Sequence, residues 1–270
     1  MCFMQIKLIC SDIDGTLLNK DRKLSTKTIT QIKYLTPTPF ILISSRMPKA
    51  MLYLQKELEI EHLPMIAYNG GLILTNNKII SSTEISCATS KLLASFCLDT
   101  DLHISLYHND EWYVPELDYW AKREANNTKV NPTIQNIDAT LNIWENENKG
   151  AHKIMVMGDS DEINSLVDYI DKNLSDELIG YRSKETYLEI AHKSISKKTA
   201  IKTLIETKYS TIEFKDVLAF GDNYNDIEML DSVGVGVAVA NARKEVLSVA
   251  DAITDSNKED GVANYLEKYL

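Results

Sequence analysis

Short apolar runs alternate with helical segments in the first third of the chain and again after residue 194. The apolar runs that we interpret as strands are residues 6–9, 40–43, 65–68, 217–220 and 235–239. The segments that we interpret as helices are residues 25–35, 48–58, 196–207 and 262–269. Strands that alternate with helices of roughly ten residues indicate βαβ units and a parallel sheet. We therefore expect the first and last thirds to form one α/β domain that is discontinuous in sequence.

The middle of the chain has a different pattern. Residues 72–74 and 78–80 flank a Thr-Asn-Asn turn and predict a hairpin, beyond which short strands mix with helices. The predicted strands of this region, which we expect to be antiparallel, are 103–107, 111–114, 153–157 and 187–190. The polar stretch 145–150 predicts a surface loop. We therefore expect the chain to be divided into an α/β core domain, residues 1–83 and 191–270, and an inserted α+β domain, residues 84–190.

Composition and charge narrow the class of protein. A net charge of −10 over 270 residues argues against a general nucleic-acid binder, because it offers no broad basic surface to phosphates. No apolar run reaches the ~18 residues that a membrane-spanning helix needs. The cysteines lack Cys-x-x-Cys and zinc-site spacing, which indicates free thiols in a reducing compartment. They are Cys2, Cys10, Cys87 and Cys97. We expect a soluble cytoplasmic protein.

Two carboxylates follow the first predicted strand. Asp12 and Asp14 are separated by one apolar residue, so their side chains leave a strand on the same face. Gly15 allows a sharp turn, and Thr16 places a hydroxyl beside the acids. At the end of a buried parallel strand, such a pair suits metal binding together with acid/base or nucleophilic chemistry. Taken alone, the same residues fit a solvated turn equally well.

A second acidic turn follows a later predicted strand. Residues 221–226 add Asp222 and Asp226 at a strand-to-helix turn, which alone would be an ordinary helix N-cap. Ser44 and Lys197 are also expected where strands end, and α/β enzymes place their chemistry at the carboxyl ends of strands in an open sheet. Two acidic turns after two apolar strands, separated by most of the chain, favour an active site.

Taken in order, these residues resemble the motifs of the haloacid dehalogenase superfamily, and specifically of its Cof-type phosphatases with a type IIB cap. Asp12–Thr16 matches the Asp-x-Asp-Gly-Thr first motif, Ser44 the hydroxyl of the second, and Lys197 the lysine of the third. Gly221–Asp226 matches the fourth motif, Gly-Asp-x-x-Asn-Asp. The resemblance covers nearly the whole chain and implies a Rossmann-like parallel-sheet core with residues 84–190 as the cap.

The resemblance also implies a role for each site residue. Asp12 would be the nucleophile that forms an aspartyl-phosphate, and Asp14 the general acid/base. Ser44 would hydrogen-bond the transferred phosphoryl group, and Lys197 would neutralise its charge. The implied cofactor is Mg²⁺, held by Asp12, by the backbone carbonyl of Asp14 and by Asp222. Asp226 would orient one of these ligands or a bound water. Further candidates for phosphate binding are Gly15, Ser45, Arg46 and Asn225.

Two positions depart from the family's usual pattern. The second motif commonly reads Thr-Gly-Arg, whereas this chain has Ser44, Ser45 and Arg46, which keeps the hydroxyl and replaces the glycine. The third motif usually reads Lys-Gly, whereas here Lys197 is followed by Lys198. Neighbouring side chains on a helix point in different directions, and register favours Lys197 as the active-site residue.

The expected activity is Mg²⁺-dependent hydrolysis of a small phosphorylated metabolite, with a sugar phosphate as the substrate class that the family suggests. We expect no nucleic-acid or membrane partner, and a monomer or weak homo-oligomer. Two alternatives stay open at this point. One is a phosphomutase, which returns the phosphoryl group to a reoriented intermediate, and the other is a catalytically weak binding or regulatory protein. The presence of Asp12, Asp14 and Lys197 together favours an enzyme.

Overall fold

The chain forms two compact units in a computed structural model that describes residues 6–76 and 78–270. The first unit consists of the described residues up to Ser45, Met51–Ser81 and Ser196–Leu270. The second unit consists of Arg46–Ala50 and Ser82–Ile195. The predictions made for Cys2 and for Asn77 lie outside the described residues.

Strands and helices alternate in the first unit and are mixed in the second. The strands are β1 (Leu8–Ser11), β2 (Phe40–Ile43), β3 (Met65–Ala67), β4 (Leu72–Thr75), β5 (Lys78–Ser82), β6 (His103–His108), β7 (Glu111–Val114), β8 (Thr133–Ile134), β9 (Lys153–Met157), β10 (Leu178–Lys184), β11 (Tyr187–His192), β12 (Val217–Gly221), β13 (Val235–Val239) and β14 (Ala252–Thr254). The helices are α1 (Thr26–Tyr34), α2 (Lys49–Leu58), α3 (Cys87–Leu98), α4 (Tyr119–Thr128), α5 (Ile137–Asn146), α6 (Ser160–Asn173), α7 (Lys197–Lys208), α8 (Ile227–Ser232), α9 (Lys244–Val249) and α10 (Gly261–Tyr269).

The first unit is built on an eight-stranded sheet in the order β14-β13-β12-β1-β2-β3-β4-β5. The strands from β14 to β3 run parallel, and β4 is antiparallel to β3. Strand β1 lies in the middle of the sheet and is fully buried, as expected of a strand whose first three residues are apolar. The predicted α/β fold class with a parallel-sheet core is confirmed. Because the carboxyl ends of parallel strands meet at one edge, the turns after β1, β2 and β12 lie together there.

One face of this sheet packs against helices α7, α8 and α9. Alternate residues of the central strands point to this face, among them Leu8, Cys10, Ile41 and Ile43. The helices contribute Ile201, Leu204, Met229, Leu230 and Val246 to the same cluster. Helix α7 begins after Ser196, whose hydroxyl accepts the backbone N–H of Thr199 as an N-cap. The packing and the cap together fix where the first residue of α7 lies.

The second unit is built on a six-stranded sheet in the order β10-β11-β9-β6-β7-β8. Its strands are antiparallel except for the pair β7 and β8, which is parallel. One face carries a core to which α3, α5 and α6 contribute Leu93, Leu141, Trp144, Ile163 and Leu166. The predicted surface loop at 145–150 is wrong at its start, because α5 continues to Asn146. The buried Trp144 anchors that last turn in the core.

Among residues 6–76 and 78–270, no helix has the length and apolar composition that crossing a membrane requires. The three described cysteines, Cys10, Cys87 and Cys97, are free. Burial raises the pKa of the Cys97 thiol to about 12 and raises that of Cys10 further, so both stay protonated.

Candidate active site

The turn after β1 brings Asp12 to the carboxyl edge of the first unit's sheet. Its backbone N–H donates to the carbonyl of Phe220 in β12 at 3.0 Å, one residue beyond the end of β1. The Asp12 residue is only 6% exposed. Gly15 then adopts φ = +90°, a conformation that side chains rarely allow, and a Cβ at this position would collide with the carboxylate of Asp222. A glycine is therefore needed both for the turn and for the approach of the second acidic turn.

The second acidic turn, after β12, is shaped by Asp226. Its Oδ2 accepts the backbone N–H groups of Asp222 at 2.9 Å and Asn223 at 3.0 Å. Gly221 has no room for a Cβ, which would meet the Asp226 side chain. Thr16 of the first turn donates its hydroxyl to Oδ1 of Asp222 at 3.0 Å, which joins the two turns directly. Asp226 thus holds the turn together, and Asp222 faces the first turn.

Lys197, the first residue of α7, places a fully buried ammonium between the two turns. Its Nζ donates to Oδ1 of Asp12 and to Oδ1 of Asp226, each at 2.5 Å. The neighbouring Lys198 is exposed on the helix surface. Successive helical side chains point about 100° apart, so only one of the two lysines can face the acids. The structure brings Lys197 to them.

The charges of this cluster do not balance among the described residues. Burial raises the pKa of Asp12 well above its usual range, although the ammonium of Lys197 opposes the shift. Burial lowers the pKa of Lys197, but the charges of Asp12 and Asp226 outweigh it, and the net shift is upward. Burial, together with the charge of Asp226, raises the pKa of Asp222 to about 7. The ammonium is therefore held charged, and a single ammonium does not offset three neighbouring carboxylates, which is why the pKa values of Asp12 and Asp222 stay raised.

The carboxylate cluster fits a hard divalent cation. Ligand oxygens of Asp12, Asp222 and Asp226 lie within 4.8 Å of one another. Mg²⁺ prefers carboxylate, carbonyl and water oxygens, and a nearby cation would relieve the raised pKa values of Asp12 and Asp222. Both oxygens of Asp226 already accept hydrogen bonds within the turn and from Lys197. We therefore expect Asp12 and Asp222 to be direct ligands and Asp226 to orient them.

The two oxygens of the Asp12 carboxylate have different surroundings. While Oδ1 accepts from Lys197, the buried Oδ2 receives no donor from the parts of the chain that the structure describes, 6–76 and 78–270. Leaving a buried carboxylate oxygen without a donor is costly, and such a group in a native structure calls for an explanation. An incoming ligand, either a cation or an electrophilic phosphorus atom, explains it.

Asp14 is more exposed than Asp12 and forms an ion pair with Arg22. The guanidinium lies 2.7 Å from Oδ1 of Asp14, and the two side chains are 44% and 37% exposed respectively. Arg22 is held in a turn whose start, Asn19, accepts the backbone N–H groups of Asp21 and Lys23. Sequence reasoning missed Arg22, because a turn signal at Asn19 does not say which charge faces Asp14. Exposed ion pairs contribute little free energy, so the carboxylate of Asp14 can change partners at small cost.

Ser44 lies at the end of β2, where its backbone is fixed by the neighbouring strand. Its N–H donates to Ile66 at 2.9 Å, and its carbonyl accepts from Asn69 at 2.8 Å. Asn69, which has φ = +55°, also accepts the side-chain amide of Asn225 at 3.0 Å. Asn225 thus donates to Asn69, and its predicted role in phosphate binding stays a prediction. The pair fastens the turn after β12 to the turn after β3.

The other two second-motif residues are placed differently from each other. Ser45 is half-buried and is the last residue of the first unit before the break in its sequence. Arg46 is 4% exposed and groups with the second unit, where its guanidinium donates to the carbonyl of Ala50 at 3.1 Å. Their predicted roles in phosphate binding stay predictions.

A second group of ligand-type side chains, Glu84, His108 and His152, lies in the second unit, with ligand atoms within 4.8 Å of one another. Asn109 donates its backbone N–H to Nδ1 of His152 at 3.1 Å, so the ring proton lies on Nε2. That nitrogen faces the hydroxyl of Ser82, which donates its own proton to Glu84. A cation at Nε2 would force a proton onto Nδ1, against the Asn109 N–H. This group is therefore better explained as a hydrogen-bonded network around Glu84.

Comparison with known proteins agrees with this geometry. The family model of haloacid dehalogenase-like hydrolases matches residues 9–266. The protein named "Putative phosphatase" from Haemophilus influenzae is 34% identical over 273 residues, covering 98% of each chain. A 5-amino-6-(5-phospho-D-ribitylamino)uracil phosphatase of Bacillus subtilis is 28% identical over 277 residues, covering 99% of this chain and 97% of that one. The crystal structure of a haloacid dehalogenase-like hydrolase from Bacteroides thetaiotaomicron, 26% identical, superposes with a TM-score of 0.89 and covers 98% of this chain and 100% of that chain.

The match extends over both acidic turns, Ser44 and Lys197, and over the inserted second unit. The resemblance inferred from the motifs is confirmed, and with it the expectation of an enzyme. The chain belongs to the haloacid dehalogenase-like hydrolase family, as a Cof-type member.

Proposed function

We propose that this hydrolase is a Mg²⁺-dependent phosphatase that acts on a small phosphorylated metabolite through an aspartyl-phosphate on Asp12. The observation that carries the proposal is the environment of the Asp12 carboxylate. The ammonium of Lys197 holds Oδ1 at 2.5 Å, while the buried Oδ2 receives no donor from the described residues. A carboxylate that is held at one oxygen and open at the other is arranged to act as a nucleophile.

The proposed reaction has two steps that share Asp14 as the proton carrier. In the first step, the open oxygen of Asp12 bonds to phosphorus, the bond to the ester oxygen breaks, and that oxygen takes a proton from Asp14. In the second step, water attacks phosphorus, gives its proton to Asp14, and the Asp12 carboxylate leaves. A halide leaving group would need no proton, so the presence of Asp14 favours phosphoryl transfer over dehalogenation.

Charge neutralisation explains the rest of the cluster. Two unit charges ~4 Å apart repel by about 4 kcal/mol at an effective dielectric of ~20, which a carboxylate approaching a phosphate must overcome. An ammonium has three N–H donors, and the two that Lys197 gives to Asp12 and Asp226 leave one for a phosphoryl oxygen. Mg²⁺, when held by Asp12, the carbonyl of Asp14 and Asp222, supplies further positive charge to the phosphoryl group. The hydroxyl of Ser44 would hydrogen-bond the same group.

The substrate class is proposed from the relatives. The Bacillus subtilis relative is named for a substrate with a phosphorylated ribityl chain. A sugar phosphate or sugar-alcohol phosphate is therefore the substrate class that we propose for this chain. The cap role of the second unit, the cytoplasmic location and the monomeric or weakly oligomeric state stay predictions.

The test is a panel of phosphorylated metabolites assayed for phosphate release, with Mg²⁺ and with EDTA. We expect release from sugar or sugar-alcohol phosphates that needs Mg²⁺. Asp12→Asn should lower kcat/KM by at least about 10³-fold, as loss of a nucleophile does in other hydrolases. Asp21→Asn, an exposed acid in the same loop, is the matched control and should leave release unchanged.

Two outcomes would contradict the proposal. Isomerised sugar phosphate with little free phosphate would favour the phosphomutase. Phosphate release that Asp12→Asn leaves unchanged, or no turnover of any compound, would remove the catalytic role of Asp12 and favour a binding protein.

A further inference from the structure

Two asparagines outside the four motifs contact the first acidic turn. Asn241, in the loop after β13, donates its side-chain amide to the carbonyl of Gly15 at 2.8 Å. Asn257, after β14, donates its side-chain amide to the carbonyl of Leu18 at 2.6 Å. The donors and acceptors are more than two hundred residues apart in sequence, with separations of 226 and 239. The first acidic turn, residues 12–18, is therefore held at Gly15 and at Leu18 by side chains from distant parts of the sequence.

The two asparagines are also bonded to each other. Oδ1 of Asn241 accepts the backbone N–H of Asn257 at 2.8 Å. Asn241 therefore uses its amide both as a donor and as an acceptor, which a carboxylate of the same shape could not do. Loss of the Asn241 side chain would free Gly15 and remove one of the bonds that fix Asn257.

The same loop also holds the second acidic turn. The backbone N–H of Arg243 donates to the carbonyl of Asp222 at 2.9 Å. Together with the bond from Thr16 to Asp222, this contact fastens both acidic turns to each other and to a third segment. The distance between the carboxylates of the two turns thus depends on the loop after β13.

Outside support matters here because the turn contains a glycine. Gly15 has no side chain to restrict its backbone, so bonds from elsewhere must select its φ of +90°. Within the turn, the N–H groups of Leu17 and Leu18 both donate to Ile13, but none of these bonds involves the Gly15 carbonyl. The peptide of Gly15 adjoins that of Asp14, whose carbonyl is the proposed Mg²⁺ ligand. We propose that Asn241 and Asn257 are positioning residues that hold this peptide in the conformation required for Mg²⁺ binding and for catalysis.

The inference deepens the proposed function and rests on it for its effect on turnover. The variants are Asn241→Ala, which removes both bonds, and Asn241→Asp, which keeps the shape but not the donor. Asn257→Ala removes only the bond to Leu18 and therefore tests the second contact with the first acidic turn. The matched control is Asn264→Ala, because the two bonds that its side-chain amide donates go to Asp255 at 2.7 Å and to Glu259 at 2.9 Å, which lie outside both acidic turns.

Two readouts do not depend on turnover. Amide hydrogen exchange of a peptide covering residues 13–18 should be faster in Asn241→Ala and Asn241→Asp than in the wild type. Mg²⁺ binding measured by calorimetry should weaken, and loss of residues that orient metal ligands typically costs 10–100-fold. In the activity assay, kcat should fall by a similar factor with KM changed by no more than about twofold, because the substrate-binding groups are intact. The free energy of unfolding should match that of Asn264→Ala.

The inference is overturned if the Asn241 variants have the same amide exchange rates over residues 13–18 and the same Mg²⁺ affinity as Asn264→Ala. It is also overturned if Mg²⁺ binding falls only in proportion to a loss of global stability. Should the wild-type enzyme bind Mg²⁺ but release phosphate from no compound, the proposed function fails. Hydrogen exchange and calorimetry would then still decide the role of Asn241.

Discussion

Replacing Lys197 by methionine is the sharpest test of how this site is held together. The substitution keeps an unbranched side chain of similar length and removes only the ammonium. Lys197 is fully buried and ion-paired with Asp12 and Asp226 at 2.5 Å, so both carboxylates would lose a buried partner. Removing one member of a buried pair costs about 3–5 kcal/mol, because the remaining charge stays uncompensated. That is a large part of the roughly 5–15 kcal/mol by which domains are stable.

The loss of unfolding free energy in Lys197→Met should be larger at high pH than at low pH. Without Lys197, the pKa of Asp12 in the folded protein rises further above its unfolded value of about 3.9. An acid whose folded pKa is raised binds more protons when folded, so falling pH favours the folded state. The difference between the variant and the wild type should therefore be smaller at pH 5 than at pH 8.

The assay is urea unfolding in EDTA, so that no cation compensates for the missing ammonium. The three tryptophans all lie in the second unit, and the transition of the first unit is best followed by far-UV circular dichroism. Lys198→Met is the matched control, since an exposed substitution usually changes stability by no more than about 0.5 kcal/mol. A Lys197→Met variant that loses less than about 1 kcal/mol would refute the electrostatic account of the site.

Three further predictions concern pH, the first acidic turn and the metal. Burial lowers the pKa of His152 to about 3, so the unfolded chain binds more protons than the folded one between about pH 6.5 and 3. The free energy of unfolding of the second unit, followed by tryptophan fluorescence, should fall by about 2 kcal/mol from pH 7 to pH 5. A His152→Gln variant whose free energy of unfolding falls by the same amount would contradict this. Gly15→Ala should cost about 2 kcal/mol or more and most of the activity, since φ is +90° and the added Cβ meets Asp222; unfolding and phosphate release that match the wild type would refute it. Mg²⁺ at a hundred times its Kd should stabilise the wild type by about 2.7 kcal/mol in thermal unfolding, and an equal gain in Asp222→Asn would show that the ion binds elsewhere.

The pattern of apolar residues predicted most of the strands and helices of the first unit, although it missed α8, α9 and β14 and placed the first strand at residues 6–9 instead of Leu8–Ser11. Strand β2 was predicted with the bounds that the structure has, Phe40–Ile43, as was β13, Val235–Val239. Prediction succeeded here because buried parallel strands are continuous apolar runs and their helices repeat apolar residues every third or fourth position. Both signals are local, so they can be read without knowing what the segment packs against.

Prediction was poorer where packing overrides the local pattern. The polar residues after Trp144 suggested a loop, but the buried indole keeps α5 helical through Asn146. The hydrogen bond from the side-chain amide of Asn225 to Asn69 was not predicted either. Neither partner could be identified from the neighbouring residues.

The sequence by itself determined the α/β class, the places of the two acidic turns and the family, because each depends on residue types at short spacing. Only the tertiary structure decided that Asp226 gives one oxygen to Lys197 and the other to its own turn, and which residues hold the turn at Gly15. Lys197 and Asp12 are 185 residues apart, and Asn241 and Gly15 are 226 apart. Contacts over such separations follow from the order and register of the strands in the sheet, which no local pattern of residues encodes.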